Sequence, residues 1–138
     1  MEGRNPLSPD EYVLRRITAF KYDVNSLFPI PPDHFNPQEK DADGISMFQE
    51  SVFTPESLAD LSSNKHGFLI ARIQVRELQE IGLTAVPTNG EGHVSIPELR
   101  YERFKNDPNA VDLLKNKLAK LAASRIVLRT EPKPSKTT

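Results

Sequence analysis

The sequence predicts an α+β domain: a small mixed sheet built around a strand-helix-strand-hairpin unit over residues 67–99, with a long amphipathic helix near the C-terminus. Three observations carry that prediction. Phe68, Leu69, Ile70 and Ile73 form a short bulky run suited to a buried strand, and directly after it Val75, Leu78 and Ile81 switch to a helical spacing. Val94 to Ile96 follows a reversal rich in Pro87, Asn89, Gly90 and Gly92, as the second strand of a hairpin does. From Asp107-Pro108 to Ser124, the residues Val111, Leu114, Leu118, Leu121 and Ala122 fall on one helical stripe.

The remaining elements follow in chain order. Ser8-Pro9-Asp10-Glu11 has the pattern of a capping box, but Val13, Ile17 and Thr18 favour a strand over Tyr12 to Ile17 after a single turn. On that strand Arg15 and Arg16 point to opposite faces, so one of them needs a partner or lines a site. Residues 23–44 hold Pro29, Pro31, Pro32 and Pro37, which forbid a regular helix. Leu27, Phe28, Ile30 and Phe35 make this long loop apolar enough to pack over the core. Asp43-Gly44 then turns the chain into a strand at Ile45 to Phe48, and Thr54-Pro55-Glu56 starts a short helix carrying Leu58 and Leu61. Within the central unit Gly82 ends the helix and Leu83 to Val86 is expected as a strand. A charged segment runs through Phe104, and Ile126-Val127-Leu128 is expected as a last strand. One domain over 1–130 and a flexible basic tail over 131–138 complete the expectation.

Composition excludes several classes of chemistry. Without cysteine there is no thiolate catalysis, no Cys-ligated zinc and no disulfide scaffold. No apolar run approaches the ~20 residues that span a bilayer, and the N-terminal stretch lacks a signal-peptide core, so a cytoplasmic protein without membrane contact is expected. The net charge of −1 hides an asymmetry. Residues 1–114 carry 11 Lys and Arg against 18 Asp and Glu, whereas residues 115–138 carry 7 against Glu131 alone. The basic end solvates a tail and complements a helix C-terminus, and it is also where a nucleic acid would bind.

The motifs are individually weak. Residues 39–50 share several acidic positions and Gly44 with a calcium-binding loop, but Ser46 stands where an apolar residue belongs and a proline-rich segment replaces the leading helix, so no metal is expected. His34, His66 and His93 have no metal-pair spacing, and no cofactor signature is present. His93 draws most attention, because Gly90 and Gly92 allow close backbone approach beside it.

The order Leu14-Arg15-Arg16-Ile17, Asp43-Gly44-Ile45-Ser46-Met47, Gly67 to Ile73, Gly82-Leu83 and Gly92-His93-Val94-Ser95-Ile96, with a Lys-rich C-terminal helix, resembles a widespread group of small bacterial proteins. The resemblance implies a small stand-alone bacterial protein and brings no activity with it. It draws attention to Arg16, Ser46 and His93 as polar residues in apolar surroundings, the candidate cleft. Because each enzyme motif fails on inspection, the leading expectation is a binding or accessory protein acting through protein-protein contacts. The alternative is an enzyme on a nucleotide or nucleic-acid substrate, with Arg16 binding phosphate, Ser46 orienting the substrate and His93 as acid/base.

Overall fold

In the computed structural model, the described residues are 6–18, 30, 32–39, 41–59, 68–88 and 91–129. Leu27, Phe28, Leu61, His66, the Asn89-Gly90 turn and the 131–138 tail of the sequence reading lie outside them. Six strands form one sheet: β1 (Tyr12–Thr18), β2 (Ile45–Gln49), β3 (Phe68–Gln74), β4 (Val86–Pro87), β5 (His93–Ile96) and β6 (Ile126–Arg129). They run in the order β4-β5-β2-β1-β3-β6, and every described pairing is antiparallel, so the sheet is not mixed as the sequence led us to expect. Four helices, α1 (Pro55–Ala59), α2 (Val75–Glu80), α3 (Tyr101–Asn106) and α4 (Pro108–Ala123), complete the α+β fold.

β1 and β3 are the spine. They pair from Tyr12↔Gln74 to Thr18↔Phe68 without interruption, and alternation sends Val13 and Ile17 to one face, Leu14 to the other. The first face carries the main core, with Ile45, Met47, Leu69, Ile73, Val94 and Ile96 meeting Val111, Leu118 and Ala122 of α4. Each of these side chains larger than alanine contributes ~1.5–3 kcal/mol on burial. Ile30 and Phe35 are also fully buried there, so the described part of the proline-rich loop does pack on the core. The second face carries a smaller cluster of Leu14, Leu58 and Ile70, backed by Phe48, Phe53 and Leu128.

Local chemistry explains where the elements begin and end. Ser8 and Glu11 close a turn: the Ser8 hydroxyl accepts from Asp10 N–H and the Ser8 N–H donates to Glu11. The chain enters β1 directly from it. Asp107 caps α4 by accepting from Ala110 N–H. The expected strand over Leu83 to Val86 shrinks to Val86–Pro87, because the backbone of Ala85 is used by Leu7 N–H and Pro87 has no N–H to continue a ladder. Leu83 and Ala85 are buried as core residues of a loop. The segment after Leu99, expected only as a charged stretch, forms α3.

Two devices fix the ends of the sheet. Gly44 has φ +120° and lies so close to β5 that an added Cβ would sit 2.0 Å from the Ile96 carbonyl oxygen. Glu77 of α2 accepts from the guanidinium of Arg125, just before β6, and from Gln74 N–H, and Arg125 above all holds its carboxyl below the usual range.

Gly44→Ala therefore loses at least ~2 kcal/mol in urea unfolding, while Gly82→Ala, whose Cβ meets only Leu114 at 3.5 Å, loses ~1 kcal/mol. Equal losses would contradict the close approach at Ile96. For Glu77 the carboxyl is more acidic folded than unfolded, so its contribution is complete above the ordinary value of 4.5 and fades as pH falls through the lowered folded value. Glu77→Gln should destabilise by no more than ~1 kcal/mol at neutral pH, given solvent screening of the pair. The gap between the two proteins' urea midpoints should close on acidification; a constant gap would place the effect elsewhere.

Candidate functional site

β2 is paired on its outer side with β5, matching Ser46 with Ser95 and Phe48 with His93. Its inner pairing with β1 stops after Val13↔Gln49 and Leu14↔Phe48. From there Arg15 meets the Ser46 carbonyl with its side chain: Nη1 donates to it at 2.6 Å, and Nη2 donates to the His34 carbonyl at 3.2 Å. Ser46 thus stands where the sheet parts.

On the face that carries Leu14 and Phe48, four side chains form a continuous hydrogen-bonded chain. Ser46 Oγ lies 2.8 Å from His93 Nε2, His93 Nδ1 lies 2.7 Å from Thr88 Oγ1, and Thr88 Oγ1 lies 3.0 Å from Ser95 Oγ. The ring of Phe48 meets the imidazole edge-on at 5.7 Å and fixes its plane from the side. Gly92, at φ +82°, lets the 52–53 turn approach within 2.7 Å of where its Cβ would be, so the start of β5 is held tightly behind His93.

Burial sets the direction of the chain. Ser95 is 2 % exposed, and Thr88 is the partner its hydroxyl has. A buried hydroxyl proton without an acceptor is costly, so Ser95 donates to Thr88, and Thr88 in turn donates to His93 Nδ1. In the neutral imidazole that places the ring proton on Nε2, which gives it to Ser46 Oγ. The Ser46 hydroxyl proton is left for an acceptor beyond the chain. This is the reverse of a nucleophilic serine, whose proton points at the histidine, and no carboxylate joins the chain among the described residues.

Of the three residues singled out from the sequence, Ser46 and His93 are in contact. Arg16 shares their face, since it alternates with Leu14, whose partner Phe48 alternates with Ser46 and pairs with His93. Its guanidinium donates to the Leu58 carbonyl of α1 at 3.2 Å, and burial lowers its pKa. Sequence alone marked Arg15 only as one of two arginines of which one must find a partner or line a site, and did not single out Thr88 or Ser95. Arg15 was legible as the other half of an Arg-Arg pair on a central strand. Thr88 and Ser95 gave no signal, because their roles come from the β4-β5 register.

Hollows open among the described residues, one of them beside Arg15 and Ser46. That one, of about 130 Å3, is lined by Arg15, His34, Asn36, Gln38, Asp41 and Ser46. Another, of about 300 Å3, is lined by Tyr12, Arg72, Glu77 and Arg125 among others, and its charges are already matched: Arg72 with Glu50, Glu77 with Arg125. Within the described part of the basic C-terminal end, two of the cations are already engaged. Lys115 is buried against Asp112 and Asn36, and Arg125 is taken up by Glu77. Among the described residues no cluster of His, Asp and Glu could hold a metal ion, and no helix is long and apolar enough to cross a membrane.

No protein family matches the chain, and no curated protein or solved structure is significantly similar to it.

Thr88→Val removes the acceptor of the Ser95 proton and the donor to His93 Nδ1 together. It should cost ~1–3 kcal/mol in chemical denaturation, with Thr88→Ser close to the parent. A silent Thr88→Val would mean that the chain of hydroxyls is not formed.

Proposed function

We propose that this protein is an enzyme acting on a nucleotide or nucleic-acid substrate, and that the Ser46 hydroxyl holds an oxygen of that substrate. The observation that supports this most is the aligned pair of Ser46 and His93, whose donors are fixed by two further hydroxyls. A serine whose oxygen already accepts a hydrogen bond presents its own proton in a set direction, and a preorganised donor of this kind stabilises charge that develops on a substrate oxygen. Arg16 on the same face supplies the positive charge that a phosphate calls for. His93 acts by positioning Ser46, which narrows the acid/base role expected for it.

The binding or accessory role, expected because each enzyme motif fails on inspection, calls for a contiguous apolar or charged surface. The large apolar side chains exposed among the described residues are Val52, Leu113 and Val127, which come from the turn after β2, from α4 and from β6. They support that role less directly than the hydrogen-bonded pair supports chemistry.

The test is a panel of nucleoside mono-, di- and triphosphates, dinucleotides and short RNA incubated with the pure protein and followed by phosphorus NMR. For a substrate so found, Ser46→Ala should slow turnover by ~10²–10³-fold with the melting temperature kept. His93→Ala should match it. His93→Gln, which keeps an amide N–H near the Nε2 position, should retain most of the rate. No conversion of any substrate, or conversion at the parental rate by Ser46→Ala, would overturn the proposal; a stoichiometric protein partner captured in its place would return the accessory role.

A further inference from the structure

We infer that the hollow at Arg15, on the opposite face of the sheet from the Ser46 hydroxyl, is a binding site for a small oxyanion, either a phosphate group or a carboxylate. The inference does not depend on the role of Ser46 and His93. It begins with an unbalanced donor count. A guanidinium has five N–H groups, and Arg15 gives one to the Ser46 carbonyl and one to the His34 carbonyl. Its Nε is buried without a partner. Among the described residues no salt bridge joins it to a carboxylate; Asp41, on the rim of the same open and polar hollow, acts on it only through its charge.

The guanidinium is held rather than mobile. Its two carbonyl acceptors come from β2 and from the 32–35 turn, and its carbon lies 5.3 Å from the centre of the Phe35 ring, a fully buried side chain. Burial lowers its pKa to about 10, which still leaves it charged at neutral pH. A fixed, desolvated cation with an unspent donor matches the planar geometry of a carboxylate or phosphate edge.

The opposite wall is arranged for the same ligand. Lys115, buried on the inner stripe of α4, donates to Asn36 Oδ1 and is itself matched by Asp112 at 2.9 Å. An ammonium has donors only, so it fixes which end of the Asn36 amide it touches, and the Nδ2 donors are turned away from it. This accounts for a lysine in the middle of an apolar helix stripe. Asp41 is the one acid on the rim, and its Oδ2 is occupied by the Gln38 N–H at 2.7 Å. The space of about 130 Å3 is far above the ~10–15 Å3 that one water needs.

The inference is tested by titrating the full chain with inorganic phosphate, and separately with acetate, at constant ionic strength, following the backbone amides of Arg15, Asn36, Asp41 and Ser46 by NMR. At least one of the two anions should give saturable shifts, and which one does so identifies the oxyanion. Arg15→Gln should weaken binding roughly ten- to a hundred-fold. Asp41→Asn, which keeps an acceptor for Gln38 while removing the rim charge, should tighten it several-fold. That variant decides the matter if Arg15→Gln does not fold. Linear shifts with both anions, equal binding by Arg15→Gln, or weaker binding by Asp41→Asn would each overturn the inference, the last by showing that the ligand donates to Asp41.

Discussion

The hydrogen bond from the Arg15 guanidinium to the Ser46 carbonyl is the point on which the rest of this structure turns. β1 and β2 are paired for two residues and then part, which would leave strand carbonyls without donors inside a sheet. Arg15 meets that need from the side, at 2.6 Å, and lets the sheet open without a stranded acceptor. Both features of functional interest follow from the opening. The hollow at Arg15 lies on the main-core face, and the hydroxyl chain through His93 lies on the other, with Ser46 common to both.

The opening is framed by paired strands and close contacts among the described residues. β1 is zipped to β3 over its whole length, and β2 to β5 over four pairs. Gly44 brings the start of β2 against the end of β5 at a distance that no side chain permits. The 32–35 turn is fastened from below by Phe35 in the core and from the side by Lys115 through Asn36. Arg15 is thus a cation in a frame that cannot collapse onto it, which distinguishes it from the arginines of the wider hollow, each closed by a carboxylate.

Much of this frame was legible from residue order. Periodicity alone located β3, α2, β5, β6 and α4, because each carries its own apolar pattern. It could not give the sheet order, in which β4 and β5 lie on the far side of β1 and β2 from β3, because that depends on contacts distant in sequence. β4 was overextended because buried Leu83 and Ala85 look like strand residues, and only the Leu7 contact reveals a loop. α3 was missed because it has no buried residue and hence no stripe to read. At the site, Ser46 and His93 stood out as polar residues in apolar runs. Thr88 and Ser95 did not, because a threonine in a loop and a serine in a strand acquire meaning only once β4 lies beside β5. Lys115 looked like part of a basic surface, and its burial was invisible without the position of Asn36.

The central claim is directional: hydroxyl protons run from buried Ser95 through Thr88 to His93 Nδ1, so that Nε2–H holds Ser46 and the Ser46 proton faces outward. A long-range proton-nitrogen NMR spectrum of His93 at about pH 8.5, where an imidazole is neutral, reads that direction without reference to any substrate. The account predicts the Nε2–H tautomer, with an Nε2 resonance that shifts in Ser46→Ala. An Nδ1–H tautomer would contradict it, and would mean that Ser46 donates to the histidine as a nucleophilic serine does.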